Sequence, residues 1–184
     1  MITIGITGTL CAGKGAVVEY LKQKGFVHYS ARAFIILEAQ RRGLEINRDN
    51  TTFVANDLRT QYSSGYIIET LFNQAELAGK DCVIESVRAL GEVAFLKQQS
   101  HFILIAVDAD PQIRYDRAVT RASELDKVSF NKFISDEQRE ISLDPTKGNL
   151  LACMKLADVT FINNGSLAEL HTQIDTFLPK ILKR

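Results

Sequence analysis

Five stretches of the chain hold residues whose types and spacing can do chemistry. The first is GTLCAGKG, residues 8–15. Gly8 and Gly13 bracket four residues and Lys14 follows. This is the spacing of a loop whose backbone N–H groups turn onto phosphate with no Cβ in the way. A helix behind such a loop adds the partial positive charge of its N-terminus, and Lys14 supplies a point charge for the outer phosphates. Gly8, Cys11, Ala12, Gly13, Lys14, Gly15 and Ala16 are therefore expected to line the phosphates of a nucleotide. One feature departs from the usual pattern. A Ser or Thr normally follows the lysine and ligates Mg²⁺, and here Gly15 and then Ala16 stand there.

The second stretch is CVIESVR, where Glu85 emerges from an apolar run and Arg88 follows three residues later. A carboxylate so placed is hard to explain as simple solvation. The third is DADPQIRYDRAVTR, with Arg114, Arg117 and Arg121 at i, i+3 and i+7 on one helix face. Three like charges in a stripe call for an anion, although Asp110, one turn before Arg114, is in reach of it. The fourth begins at HYSARAF, where Ser30, Arg32 and, further on, Arg59 are candidates for a second phosphate. The planar fork of arginine suits a terminal phosphate because it donates two hydrogen bonds. Arg41, Arg42 and Arg48 read as solvated, and His28 as structural. The fifth is INNGS, where Asn164 and Gly165 form a polar turn after a strand.

These stretches need elements to hold them. ITIGIT, FVHYS, DCVIESV, HFILIAVD and DVTFIN read as five short strands, most of them buried on both faces. Helical periodicity fills the gaps: 14–24, several helices over 31–79, 90–99, a stretch from Asp110 to about residue 140, about 147–156, and a last helix from Ser166. Ser166 and Glu169 form a capping-box pattern there, and Leu167, Leu170, Ile174, Leu178 and Ile181 make one stripe. Such alternation predicts a mainly parallel sheet sandwiched between helices, with ligands at the carboxyl ends of the strands. All five chemical stretches follow directly after, or begin at, those ends.

The bulk numbers set the class. At 184 residues the chain is read as one domain. Hydrophobic residues make up 46% and charged residues 24%, and the formal net charge is zero, which argues against a nucleic-acid partner. No run of about 18 apolar residues suggests a membrane span, and no signal peptide is seen. Cys11, Cys82 and Cys153 have no metal or disulfide spacing, so Cys82 and Cys153 are expected in the core and the setting is expected to be cytoplasmic.

GTLCAGKG, VIESVR, the DPQIRYDR helix and ADVTFINNGS together resemble the P-loop small-molecule kinases. The resemblance implies a three-layer α/β/α P-loop NTPase fold with a five-stranded mainly parallel sheet. It also implies a helical acceptor-binding insertion at about 31–79 and a helical lid at about 114–145. Gly13-Lys14-Gly15 is similar to the adenylate kinase branch of the nucleoside monophosphate kinases, in which Mg²⁺ is held by nucleotide phosphates and by waters oriented by acidic residues. On that resemblance Glu85 acts on the metal through water and Arg88 takes the acceptor phosphate with Ser30, Arg32 and Arg59. Arg114, Arg117 and Arg121 close over ATP, and Asn164 and Gly165 pack on the adenine. Signalling GTPases are excluded, since the Asn131-Lys132 pair is followed by Phe133 and Ile134 rather than by their guanine-reading element.

The second half also resembles dephospho-CoA kinase through Gln112, Arg114, Ala157, Asp158, Asn164 and Ser166. That family has Gly-Lys-Ser in its loop and an aspartate just after the second strand. This chain has Gly15, and Ser30, Ala31 and Arg32 after the strand. A ribose hydroxyl needs that base, whereas a phosphate acceptor is already ionised. Arginine in place of aspartate therefore points to a nucleoside or deoxynucleoside monophosphate, with dephospho-CoA as the alternative acceptor. A nucleotide-binding regulator or slow ATPase is the alternative of a different class.

Overall fold

Five runs of aliphatic and β-branched residues pair into one sheet: β1 (Thr3–Gly8), β2 (Val27–Ser30), β3 (Cys82–Glu85), β4 (Phe102–Asp108) and β5 (Val159–Ile162). The computed structural model describes residues 1–121, 128–139 and 148–182. The strand order is β2-β3-β1-β4-β5, and all four pairings are parallel. Every residue of the central β1 is buried, as expected of a strand covered on both faces. The register sets Glu85 opposite Ile6 on one side and Ser30 on the other, so the candidate residues finish level with one another.

The helices among the described residues are α1 (Lys14–Gln23), α2 (Ala31–Arg41), α3 (Arg48–Gln61), α4 (Tyr66–Ala78), α5 (Leu90–Leu96), α6 (Pro111–Arg121), α7 (Phe130–Arg139), α8 (Leu150–Lys155) and α9 (Leu167–Leu182). They cover both faces of the sheet and make two apolar clusters. One joins α2, α3, α4, α5 and Cys153 of α8 to Cys82, Ile84 and Leu104. The other joins Val17, Val18 and Leu21 of α1 and Leu170, Ile174, Leu178 and Ile181 of α9 to Ile4, Ile6 and Ile105. This is the expected α/β/α sandwich with a P-loop kinase-like strand order.

Local signals set the helix ends. The Ser30 hydroxyl accepts from Ala33 N–H at 3.2 Å, and the Asn47 and Asn149 side chains cap α3 and α8 in the same way. At α9 the capping box is present: Ser166 N–H donates to Glu169 at 2.8 Å and Glu169 N–H to the Ser166 hydroxyl at 3.3 Å. Leu167 departs from the expected stripe and is exposed. Helices α2–α4 fall between β2 and β3, where the acceptor insertion is expected. Of the expected lid, residues 122–127 and 140–145 lie outside the described residues. No helix among the described residues is long and apolar enough to cross a membrane.

Candidate functional site

The phosphate loop runs from the end of β1 into α1, and its shape is fixed by neighbours distant in sequence. Gly8 has φ +140°, and a Cβ there would collide with the backbone of Val107 on the paired β4. Gly13 has φ +104°, and a Cβ there would collide with the side-chain amide of Asn163. Asn163 is buried beyond the end of β5 and donates through Nδ2 to the Ala12 carbonyl at 2.8 Å. Its own N–H donates to Asp108 O at 2.8 Å. The buried Thr9 hydroxyl donates to Asp108 Oδ1 at 2.6 Å. The ends of β1, β4 and β5 are thereby tied together under the loop. Lys14 sits over it, with Nζ donating to the carbonyls of Gly8 and Thr9 at 2.7 Å each. Cys11 adopts a left-handed φ of +59°, an unfavourable conformation for a residue with a Cβ. Gly15 differs from Gly8 and Gly13: it is exposed, and a Cβ there would meet nothing within 4 Å. Packing therefore does not exclude a hydroxyl residue at that position.

Glu85 closes β3, and the chain bends sharply after it. Ser86 has φ +73°, and the N–H groups of Ser86 and Val87 both donate to the Ile6 carbonyl at 3.0 Å. The Glu85 carboxylate meets His28 Nε2 of β2 at 3.2 Å, with only about a fifth of its side chain exposed. The hydrogen bond from His28 is the main cause that holds this carboxyl below its ordinary 4.5; burial opposes it, and the charges of His28, Lys14 and Arg88 add to the lowering. Lys14, Glu85 and Arg88 thus share one electrostatic neighbourhood at the carboxyl edge of the sheet. His28, read from sequence as structural, is the partner of the candidate metal-side acid.

The acceptor residues separate. Arg32 is exposed at the start of α2. The Ser30 hydroxyl, expected to touch the acceptor, is engaged as the cap of α2. Arg59, expected beside it, is instead buried, and its Nε and Nη2 donate to Glu92 Oε1 of α5 at 3.0 and 2.7 Å. A guanidinium so enclosed does not present its fork to a ligand. Arg42, expected to be solvated, is partly buried between Glu38 and Asp57, and with Arg41 it draws Glu38 down to about 2.

The arginine stripe of α6 runs from core to solvent. Arg114 is buried, Arg117 half-buried and Arg121 exposed. Arg114 does not use Asp110, whose carboxylate accepts from Gln112 N–H. Its guanidinium makes a bidentate pair with Glu137 of α7, and it also donates to Ala109 O at 2.9 Å and Leu10 O at 3.4 Å. Arg114 therefore joins α7 to the phosphate loop. Arg117 has one nitrogen, Nη1, buried without a hydrogen-bond partner, a state that costs roughly 1–3 kcal/mol unless a ligand supplies an acceptor. At the β5 end, the Asn164 side chain accepts from Asp110 N–H at 2.7 Å, which fastens the expected adenine loop to the start of α6. Gly165 lies against the Glu169 carboxylate of the cap.

Comparison with known proteins agrees with this architecture. A family model for the AAA domain matches residues 4–142. The chain is 29% identical over 185 residues to UPF0200 protein MJ1399 of Methanocaldococcus jannaschii, covering 99% of this chain and 91% of that protein. Its fold is similar to dephospho-CoA kinase from Campylobacter jejuni, with a TM-score of 0.59 and 15% identity over 98% of this chain and 97% of that one. It is likewise similar to shikimate kinase from Acinetobacter baumannii, solved with shikimate, with a TM-score of 0.59 and 14% identity over 98% and 94% of the two chains. At these identities the likeness to the two kinases is one of fold. With the phosphate loop on a central parallel strand and the family match spanning β1 to α7, the chain belongs to the AAA domain family and has a P-loop kinase-like fold.

Proposed function

We propose that the protein transfers the γ-phosphoryl group of ATP to a small phosphorylated acceptor, namely a nucleoside or deoxynucleoside monophosphate. The observation that supports this reading best is the shared neighbourhood of Lys14, Glu85 and Arg88, combined with Ser30 and Arg32 in place of a carboxylate where β2 ends. The loop N–H groups and the N-terminus of α1 hold the donor phosphates, and Lys14 neutralises the outer ones. An oxygen of the acceptor phosphate bonds to the γ-phosphorus as the bond to the β–γ bridging oxygen breaks, and ADP leaves. That oxygen is already ionised, so the step requires no protein base. Arg88 and Arg32 carry the acceptor phosphate. Arg117 and Arg121 carry charge on the transferring group, and the unpartnered Arg117 Nη1 fits that role. Asn164 and Gly165 present backbone to the adenine.

Gly15 brings no hydroxyl, and no group of three or more His, Cys, Asp or Glu among the described residues forms a protein-only metal site. A Mg²⁺ held by phosphates and water, with the ionised Glu85 orienting that water, fits these residues. When bound it supplies charge neutralisation between donor phosphates.

Transfer to the hydroxyl of dephospho-CoA is the second reading, favoured by the Gln112 to Ser166 resemblance and by the fold likeness to that kinase. A coupled ADP-release assay over the common ribo- and deoxyribonucleoside monophosphates and dephospho-CoA tests both. Rapid ADP production dependent on one monophosphate, abolished by Lys14→Ala, is expected. Rapid turnover with dephospho-CoA supports the second reading. Slow hydrolysis indifferent to every acceptor sinks both in favour of a nucleotide-binding regulator.

A further inference from the structure

Glu92 is fully buried, yet each of its oxygens is used twice. Oε1 accepts from Nε and Nη2 of Arg59 at 3.0 and 2.7 Å. Oε2 accepts from the backbone N–H groups of Arg88 at 2.7 Å and Ala89 at 3.0 Å. On its other side, the Arg88 carbonyl accepts from Asn149 N–H at 2.7 Å, where α8 begins. The main chain of Arg88 is therefore clamped through both of its polar groups. One clamp leads through Glu92 to α3 of the helical insertion, and the other leads to α8.

The clamp is an expensive way to fill a core. Burying two charges costs several kcal/mol per ion, and well-packed apolar residues in their place are often neutral or better for stability. Cys153 shows how dry the place is: burial, with the Glu92 charge second, pushes its thiol up to about 12. What apolar residues could not do is accept the two N–H groups of residues 88 and 89 while also gripping α3. The charge of Arg88 also adds to the lowering of the Glu85 carboxyl, after the hydrogen bond from His28.

We propose that Arg59 and Glu92 are positioning residues, which fix the Arg88 backbone to the helical insertion and so set the affinity for the acceptor's phosphate. The proposal rests on the reading of Arg88 as the acceptor-phosphate ligand. Arg59 acts at one remove from the acceptor, through a carboxylate that never touches it.

The test uses the full chain as wild type, Arg59→Met, Arg59→Lys, Glu92→Gln and Arg88→Ala. It measures kcat and KM for whichever monophosphate the wild type phosphorylates fastest, the Kd of a fluorescent ATP analogue, and backbone deuterium exchange over residues 86–92. Arg59→Met is expected to raise the acceptor KM about ten-fold, in the direction of Arg88→Ala, because a small displacement of a binding group is costly. The ATP-analogue Kd stays within about two-fold, since the donor loop is held by other contacts. Arg59→Lys, which keeps the charge and one hydrogen bond, falls between, and it carries the test should the methionine variant fail to fold. An unchanged acceptor KM in folded Arg59→Met and Glu92→Gln overturns the proposal, as does an ATP-analogue Kd that rises in step with KM. Should the wild type use no monophosphate, the functional reading fails separately, and exchange decides the clamp. Faster exchange at residues 88 and 89 in Arg59→Met, with α1 unaltered, upholds the tie from α3 to Arg88. Unchanged exchange removes it.

Discussion

Asn163 and Gly13 claim the same space. The Asn163 amide that donates to Ala12 at 2.8 Å stands where a Cβ on residue 13 would be, across 151 positions of sequence from its acceptor. Glycine at 13 is thus demanded by a side chain just past β5 as well as by its positive φ. Gly13→Ala is expected to cost about 1–3 kcal/mol from backbone strain, with further loss from the collision. Asn163→Ala leaves the Ala12 carbonyl without its partner and costs a further 1–3 kcal/mol or so. The two together should cost less than their sum, because removing the amide relieves the collision. Thermal unfolding of the four-member cycle, with and without ATP, measures the coupling. Strict additivity would show that the contact does not shape the loop.

Gly15 has open space around it, so Gly15→Ser should leave the fold intact and stabilise the first turn of α1 by about 0.5 kcal/mol. The functional outcome is the informative part. If water and phosphates hold the metal, the added hydroxyl changes the Mg²⁺ concentration for half-maximal turnover by less than about three-fold. A gain of ten-fold or more in apparent Mg²⁺ affinity would mean that the site had lacked a direct ligand.

Glu85→Gln should lower turnover roughly a hundred-fold while leaving ATP affinity nearly unchanged, because its charge is proposed to matter only where the phosphoryl group moves. Comparable losses in both would refute that role.

The same carboxylate carries a pH signature. Its folded-state value lies below its ordinary 4.5, and the hydrogen bond from His28 is the largest cause. A depressed carboxylate contributes stability that is present above 4.5 and is lost as pH falls through the lowered folded value. His28→Ala should raise that folded value, so acid unfolding begins at higher pH than in wild type, while near pH 7 Glu85 stays ionised in both. Unfolding midpoints between pH 3 and 5 that coincide for the two proteins would show that the pair is not formed in solution.

Arg114→Met removes the buried partner of a bidentate pair whose other member, Glu137, is partly buried. A loss of about 3 kcal/mol follows, or a Tm lower by roughly 6–12 °C. Adding Glu137→Leu should recover most of it, since the uncompensated carboxylate is then gone. If Arg114→Met instead keeps its Tm and loses ATP affinity, the arginine serves the nucleotide directly.

The parts of this molecule that the sequence shows openly are those written in neighbouring residues. All five strands are visible as short β-branched runs, and the Ser166–Glu169 cap is visible at its spacing. The phosphate loop is visible because glycine spacing is itself the chemistry. What stays hidden is pairing at a distance: Thr9 with Asp108, 99 residues apart; Arg59 with Glu92, 33 apart; and Arg114 with Glu137, 23 apart. No local pattern states which acid an arginine will choose, so neither Glu92 for Arg59 nor Glu137 for Arg114 could be named in advance. A usable signal existed for one pair. Arg59 continues the buried face of Val54, Ala55 and Leu58, and Glu92 shares a face with Val93 and Leu96, so each is a charge set on an apolar stripe. Such charges should be read as partners of one another before they are offered to a substrate.

The two apolar clusters lie on opposite faces of the sheet, and this has an evolutionary consequence. The helix that carries Lys14 is rooted in one cluster, while the segment from residue 31 to 79 is rooted in the other. Mutations that reshape that segment repack against their own side of the strands and leave the donor half undisturbed. On the proposed function, a lineage with this plan can drift in its acceptor while its use of the nucleotide stays constant, and grafting residues 31–79 between relatives is the natural way to exchange one preference for another.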